Sequence, residues 1–220
     1  MVEVVSDSDI ESVQDNFSYF EAGAPPAGKG FEELIQKGDP RKDKDALRIW
    51  KKVGKGGVYE YLILGSAPYD VETFVKVLRD VDFHKKWDKH CEKLEVIRSE
   101  GSTDYIYWDT KYPLWFSNRD YVYARRYRKE VDGSHVFATR TTVDENVPEV
   151  RRKIRVLDYF GTYALRAREN ADVTEYVYSF YDDPRGRIPK SIINWAVSTG
   201  IPGFMRTLYR ACDLLTKEES

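Results

Sequence analysis

The stretch from residue 105 to residue 128 concentrates the side chains best suited to bind a ligand; it reads YIYWDTKYPLWFSNRDYVYARRYR. Two β-rich runs, 105–112 and 119–128, flank a short turn and predict an antiparallel hairpin. Because side chains alternate between the faces of a strand, Trp108 lies on the predicted inner face of the first run, and Tyr121 and Arg125 share that face on the second. Burying an unpaired guanidinium is costly, so we expect an anionic partner for Arg125, from the protein or from a ligand.

Metal binding and catalysis are poorly supported by the rest of the sequence. His84, Asp88 and His90 occur close together, but a six-residue separation of the histidines does not match the four-residue zinc pairing of a helix. The run 82–96 is instead typical of a corner between a helix and a strand. The sequence contains no Gly-x-Ser-x-Gly elbow and no recognisable Cys and His constellation. We therefore expect no metal, no other cofactor and no enzymatic activity.

Composition narrows the class of protein. The chain has 220 residues, which favours one domain, and its formal net charge is only -2, which argues against a nucleic-acid partner. Cys91 and Cys212 are too far apart in sequence to indicate a disulfide scaffold, so we expect a reducing, cytoplasmic location. No segment approaches the roughly 20 apolar residues of a transmembrane helix, so any membrane contact should be peripheral and transient.

The order of predicted elements indicates an antiparallel α+β domain, because many consecutive strands occur without alternating helices. An amphipathic helix is expected over 69–80, and Gly161 is expected to mark a bulge or the close approach of a ligand. The other predicted strands are 46–53, 58–65, 135–143, 153–166 and 174–181.

The two ends of the chain have different patterns. Residues 1–30 are predicted to form a flexible acidic segment with a short helix near 8–20, and 31–37 another brief helical turn; residues 31–220 form the domain. Near the C-terminus, apolar residues recur at helical spacing from Ile201 to Leu215, after a break or kink expected at Gly200 and Pro202. A curved sheet gripping this helix would leave a cavity between them.

Three motifs resemble the steroidogenic-acute-regulatory-related lipid-transfer (START) domain, in particular its phosphatidylcholine-binding members. They are WD at 87–88, YPLWFSNRDYVYARR at 112–126 and YDDPRGRIPKSIINWAVSTGIPGFM at 181–205. The similarity runs in order from about residue 46 to about residue 217, which makes it far more specific than a short motif. The resemblance implies a helix-grip fold with an internal lipid tunnel. The implied lid is the C-terminal helix, through Pro202, Phe204, Met205 and Leu208, together with the loop 144–151.

The resemblance also implies a binding site for a choline head group. It places an aromatic cage on Trp108, Tyr121 and Tyr159. A quaternary ammonium cannot donate hydrogen bonds, so the faces of electron-rich rings suit it, each contributing about 0.5 to 2 kcal/mol. The same rings would also suit ordinary core packing.

One position departs from the family pattern. The phosphatidylcholine-binding members have an arginine that pairs with the lipid phosphate where this sequence has His84, whereas the neighbouring Asp88 is retained. Three explanations are open: His84 binds in its protonated form, Arg125 supplies the charge, or the head group is not phosphatidylcholine. We favour Arg125, because its inward position already requires a partner, although a structural ion pair would satisfy it equally.

The function implied by the resemblance is transfer of one phospholipid, phosphatidylcholine in the first instance, between membranes without chemistry. Phosphatidylethanolamine, ceramide or a sterol are alternative ligands. A lipid-sensing adaptor that binds a protein partner through residues 1–30 is a second function. The apolar residues Leu114, Trp115 and Phe116 are predicted to touch the bilayer or to be buried beneath the N-terminal segment.

Overall fold

One antiparallel sheet organises the chain, in a computed structural model that describes residues 4–112, 116–186, 189 and 199–218. The path of hydrogen-bonded neighbours is β1-β2-β3-β10-β9-β7-β6-β5-β4, and the short β8 pairs with β6 in parallel. The strands are β1 Glu32–Lys37, β2 Ala46–Val53, β3 Tyr59–Ala67, β4 Cys91–Glu100, β5 Thr103–Thr110, β6 Arg119–Lys129, β7 His135–Thr141, β8 Ile154–Val156, β9 Tyr159–Ala167 and β10 Thr174–Asp182.

Helices lie on both faces of this sheet. They are α1 Asp7–Gln14, α2 Phe17–Ala22, α3 Val71–Arg79, α4 Val81–Trp87 and α5 Ile201–Glu218. A curved sheet packed against a long C-terminal helix is the helix-grip arrangement, so the predicted α+β fold class is confirmed.

The inner face of the sheet packs against α3, α4 and α5. Asp70 caps α3 by accepting a hydrogen bond from the Thr73 amide, and the apolar face of that helix, including Phe74, is buried. The predicted apolar stripe of α5 is also buried; its most enclosed members are Met205, Leu208, Ala211, Cys212 and Leu215. Together these side chains form the main core with Ile63 and Phe137. They do not fill it, and the remaining space forms the cavity described below.

The outer face of the sheet is covered by the N-terminal residues. Ile10, Val13 and Phe20 are almost fully buried in a second apolar cluster that includes Trp50 and Tyr105. Residues 4–22 therefore pack against the sheet in two short helices, where the sequence analysis expected one helix in a flexible segment. The domain boundary at residue 30 stays a prediction.

Two predicted elements were wrong. Residues 32–37 form an edge strand and not a helical turn, because they pair with β2 through the ladder and through the Arg48–Glu33 ion pair at 2.6 Å. The predicted strand 153–166 is interrupted between β8 and β9. There the Thr141 hydroxyl donates to the Leu157 carbonyl at 3.0 Å and accepts from the Tyr159 amide at 3.2 Å. Leu157, within this interruption, is 51% exposed.

Candidate ligand-binding site

A cavity of about 350 Å³ lies between the inner face of the sheet and helices α3, α4 and α5. This volume falls within the range of about 300–1,000 Å³ typical of ligand sites. Its walls are mainly apolar or aromatic, with Phe74, Leu78 and Phe137 toward α3 and Ile201, Phe204 and Leu208 on α5. The few polar groups on the wall are therefore well placed to determine the orientation of a ligand.

Aromatic rings from neighbouring strands line much of the sheet side of the cavity. Tyr163 on β9 stacks on Tyr178 of β10 with ring centroids 3.9 Å apart, and Tyr178 stacks in turn on Phe180 at 4.9 Å. Side chains alternate along β10, so residues 176, 178, 180 and 182 share the inner face. The strand 174–181 was predicted without an inner face, although alternation along its sequence would have placed 176, 178 and 180 together.

The three predicted cage residues lie together. The Trp108 and Tyr121 rings stack at 4.9 Å, and Tyr121 meets Tyr159 edge to face at 5.8 Å. Trp108 and Tyr159 line the cavity, whereas Tyr121 is 2% exposed and lies behind the lining. Tyr123, two residues along the same strand, does line the cavity and contacts Tyr159 edge to face at 6.1 Å. The sequence analysis did not select Tyr123 for the site, although it shares the inner face with Tyr121.

Asp182, at the end of β10, is an acidic group on this aromatic wall that the sequence analysis did not select. The Tyr121 hydroxyl donates a hydrogen bond to its Oδ2 at 3.0 Å. Burial raises the pKa of Asp182 to about 7; the bond from Tyr121 opposes this rise but does not cancel it. A carboxyl on the cavity wall is therefore poised to change its charge near neutral pH.

Arg125 also lines the cavity, as its inward position predicted, and it has a protein partner. Its Nη2 lies 3.1 Å from Oδ2 of Asp104 on the neighbouring strand. The guanidinium side chain is 10% exposed and the Asp104 side chain is 33% exposed. Both also line a more open cleft of about 610 Å³ beside α3. Arg125 thus borders both the cavity and the cleft, and Asp104 borders the cleft.

His84 lies on the cavity wall within α4, and Asp88 lies behind it. The His84 Nε2 is 3.1 Å from the Asp88 Oδ2, and its ring packs 4.3 Å from the ring of Trp87. Burial alone would raise the pKa of Asp88, but the bonds from His84 and from the His90 amide outweigh it and hold that pKa below its usual value. The histidine is thus already paired with an acid. No group of three or more potential metal ligands occurs within 4–112, 116–186, 189 and 199–218.

Comparison with known proteins identifies the family of this chain. Residues 43–218 match the START domain. The chain belongs to the START family. Human phosphatidylcholine transfer protein is 34% identical over 168 residues, which cover 74% of this chain and 78% of that protein. The mouse protein named StAR-related lipid transfer protein 7, mitochondrial, is 30% identical over 196 residues, covering 84% of this chain and 52% of that protein.

Solved START structures share the fold. The crystal structure of human STARD10 superposes with a TM-score of 0.79 at 19% identity, covering 96% of this chain and 81% of that one. Human StAR-related lipid transfer protein 5 gives a TM-score of 0.75 at 15% identity, over 95% and 97% of the two chains. At such identities the likeness concerns the backbone arrangement only.

The lid expected of a START domain is only partly described. Phe204, Met205 and Leu208 line the cavity, whereas Pro202 lies in the first turn of α5 and is not on the wall. The predicted bilayer contact of Leu114 and Trp115 falls on residues outside those that the structure describes. None of the helices in the described part of the chain is both long and apolar enough to cross a bilayer.

Arginines hold the loop 144–151 of this START domain at its first residue and near its middle. Arg98 approaches Asp144 at 3.4 Å, and Arg155 donates to the carbonyls of Val147 and Pro148 at 3.2 and 3.1 Å. Arg155 is itself paired with the fully buried Asp120 at 2.9 Å. A lid movement of this loop would have to break these contacts, and its assignment as a lid stays a prediction.

The packing of neighbouring side chains explains why a glycine occupies position 161, which was not predicted from the sequence. A Cβ built at this position would lie 2.8 Å from the Tyr159 hydroxyl and 2.9 Å from the Thr139 hydroxyl. These two hydroxyls are themselves 3.2 Å apart. The glycine therefore makes room for the Tyr159 side chain, not directly for a ligand or a bulge.

Proposed function

We propose that this START domain carries one phospholipid in its cavity, phosphatidylcholine in the first instance, and transfers it between membranes. The observation that supports this most directly is the meeting of Trp108, Tyr121 and Tyr159 beside a largely apolar cavity. The similarity to proteins named phosphatidylcholine transfer protein supports the same ligand. No reaction is required, and we propose that the protein is not an enzyme.

The physical basis of binding differs between the two ends of the lipid. Acyl chains are bound by burial, at about 25 cal/mol for each Å² of apolar surface removed from water. The choline nitrogen has no hydrogen to donate, so ring faces and negative charge are what can attract it. Trp108 and Tyr159 present such rings to the cavity.

For the phosphate we propose Arg125 as the main partner, with His84 beside it. Both line the cavity, and a guanidinium keeps its charge at all physiological pH values. The bond to Asp104 competes with this role, because a ligand phosphate would have to share or replace it. Exposure of Asp104 makes such an exchange inexpensive compared with breaking a fully buried pair.

The site of action and the partners are proposals of the same kind. A protein that delivers phospholipid must touch a bilayer transiently, and a cytoplasmic protein would meet donor and acceptor membranes, although one relative has the word mitochondrial in its name. The predicted protein partner of residues 1–30 would have to bind the outer surface of α1 and α2, because their inner surface packs on the sheet.

Transfer of labelled phosphatidylcholine from donor to acceptor vesicles tests the proposal. We expect Trp108→Leu and Tyr159→Leu each to reduce the rate severalfold, because each keeps apolar volume and removes a ring face. Trp50→Leu and Tyr105→Leu are matched controls on the outer face of the sheet and should retain transfer if they remain folded. Equal rates for cavity and outer-face variants would contradict the proposal.

A further inference from the structure

The carboxyl of Asp182 is a group on the cavity wall that the function proposed above does not explain. Its Oδ2 accepts the bond from Tyr121, but its Oδ1 is buried and has no hydrogen-bond partner in the described part of the protein. Leaving a buried polar atom unpaired costs on the order of 1–3 kcal/mol, and more for a charged group. Such an atom on a cavity wall indicates a partner that comes from outside the chain.

Arg119, whose charge acts on this carboxyl, does not pair with it directly. Arg119 is only 2% exposed, and its guanidinium donates to three backbone carbonyls, those of Ser117, Pro184 and Arg185, at 2.6, 3.0 and 3.1 Å. Its charge acts on Asp182 only at longer range. The ionised carboxylate therefore lacks a contacting cation among the residues that the structure describes.

The position of Asp182 in the sheet places it beside the rings of Tyr121 and Tyr159. Asp182 and Tyr159 are direct partners on β10 and β9. Tyr121, bonded to Oδ2, lies between the rings of Trp108 and Tyr159. The negative charge is thus at the edge of the ring surfaces that would surround a cationic group.

We propose that Asp182 is a further ligand-binding residue, whose carboxylate is the counter-charge for the cationic nitrogen of a zwitterionic phospholipid head group. This inference rests on the proposed function, because it assumes that a phospholipid occupies the cavity. A quaternary ammonium would approach Oδ1 by charge attraction alone, whereas a primary ammonium would also donate a hydrogen bond to it. Asp182 therefore selects for a cation in the head group, and the rings favour its methylated form.

Ligand and proton compete for this carboxyl. A bound cation stabilises the ionised form, so protonation of Asp182 at lower pH should weaken binding of the lipid. Among the residues that the structure describes, the titratable and charged groups around it include Tyr61, Tyr112, Arg119, Tyr121, Tyr159, Tyr181 and Asp183. His84 also lines the cavity, and its Nε2 is 3.1 Å from the Asp88 carboxylate.

The test compares uptake of three lipids with identical acyl chains by the full chain from vesicles. The lipids are phosphatidylcholine, phosphatidylethanolamine and phosphatidylglycerol, the last of which has no cation. The variant is Asp182→Asn, which keeps an acceptor for the Tyr121 hydroxyl and removes the charge. Asp183→Asn removes the charge of the next residue, which lies just beyond the end of β10 and accepts a hydrogen bond from the Arg185 amide, and serves as the matched control.

For Asp182→Asn at pH 8 we expect at least a tenfold loss of phosphatidylcholine uptake and no loss of phosphatidylglycerol uptake. Asp183→Asn should behave as the wild type. In the wild type, phosphatidylcholine uptake relative to phosphatidylglycerol should fall as the pH is lowered from 8 to 5. This pH profile needs no variant, so the inference stays testable if Asp182→Asn does not fold.

Three results separate this inference from the proposed function. If the wild type takes up phosphatidylcholine and Asp182→Asn takes it up equally well, the inference is overturned and the function stands. If the wild type prefers phosphatidylethanolamine and Asp182→Asn abolishes this preference, the choline assignment is wrong and the inference stands. If the wild type takes up only phosphatidylglycerol, both are overturned.

Discussion

Replacing Asp182 with asparagine should change how the stability of the lipid-free protein depends on pH. In the folded protein the carboxyl has a pKa of about 7, well above the usual value of 3.8. Between these two values the folded state holds a proton that the unfolded state has released. Stability therefore falls as the pH rises through this window, and it is highest below it. In Asp182→Asn this loss should be absent.

The size of the effect follows from the difference of about three pKa units. At about 1.36 kcal/mol per unit, the wild type would lose at most about 4 kcal/mol between pH 4 and pH 8 through this group. The Asp182 side chain is partly accessible although its Oδ1 is buried, so water in the cavity screens part of this effect and about 2 kcal/mol is a better expectation. For a chain of this length that corresponds to roughly 4–8 °C in melting temperature.

The assay is urea or thermal unfolding of lipid-free wild type, Asp182→Asn and Asp183→Asn at pH 5, 6, 7 and 8. We expect Asp182→Asn to become more stable than the wild type as the pH rises, with the smallest difference at pH 5, where about a third of the effect is already present. Asp183→Asn controls for the removal of one negative charge; because the charge of Asp183 contributes to the raised pKa of Asp182, this variant should keep the pH-dependent loss of stability but with a smaller size. A difference that does not change with pH, or a wild type that is the more stable at pH 8, would refute the reasoning.

Three further predictions concern the rest of the site. Arg125→Gln should lower phosphatidylcholine transfer severalfold while Asp104→Asn does not; equal losses would mean that the ion pair is structural. His84→Gln should shift acid unfolding to higher pH. The depressed pKa of Asp88 contributes stability at pH values above the usual pKa of an aspartate, and this stability is lost when Asp88 is protonated. An unchanged acid midpoint in circular dichroism would contradict this. Gly161→Ala should lower stability by about 1–3 kcal/mol in urea unfolding, because the new Cβ would lie 2.8 Å from a tyrosine hydroxyl, and unchanged stability would contradict that packing argument.

Much of the architecture followed from local patterns in the sequence. The hairpin of β5 and β6 and the buried stripe of α5 were predictable, because alternation and helical spacing directly reflect which side chains face the core. The strand 32–37 was not predicted, because cross-strand pairing with β2 determines it and its own sequence has no strong alternation. The interruption of 153–166 was missed for a similar reason, since a hydroxyl on another strand causes it.

The binding site was predictable only as far as single strands could define it. The alternation of side chains along a strand placed Trp108 and Arg125 on the inner face, and both line the cavity. Tyr121 and Tyr123 share one face of β6, so alternation alone does not determine which of them reaches the cavity. That depends on how the rings pack. Asp182 lies one residue beyond the predicted strand 174–181, and its position beside Tyr159 depends on the pairing of β10 with β9, which joins residues that are 23 positions apart in sequence.

The most direct test of the central claim is to purify the protein under native conditions and identify the bound lipid by mass spectrometry, beside a Trp108→Ala, Tyr159→Ala double variant. The proposal predicts phosphatidylcholine at one molecule per chain in the wild type and little or none in the double variant. A sterol, a ceramide or a phospholipid without choline in the wild type would contradict it. Equal occupancy by phosphatidylcholine in both proteins would show that these rings do not hold the head group.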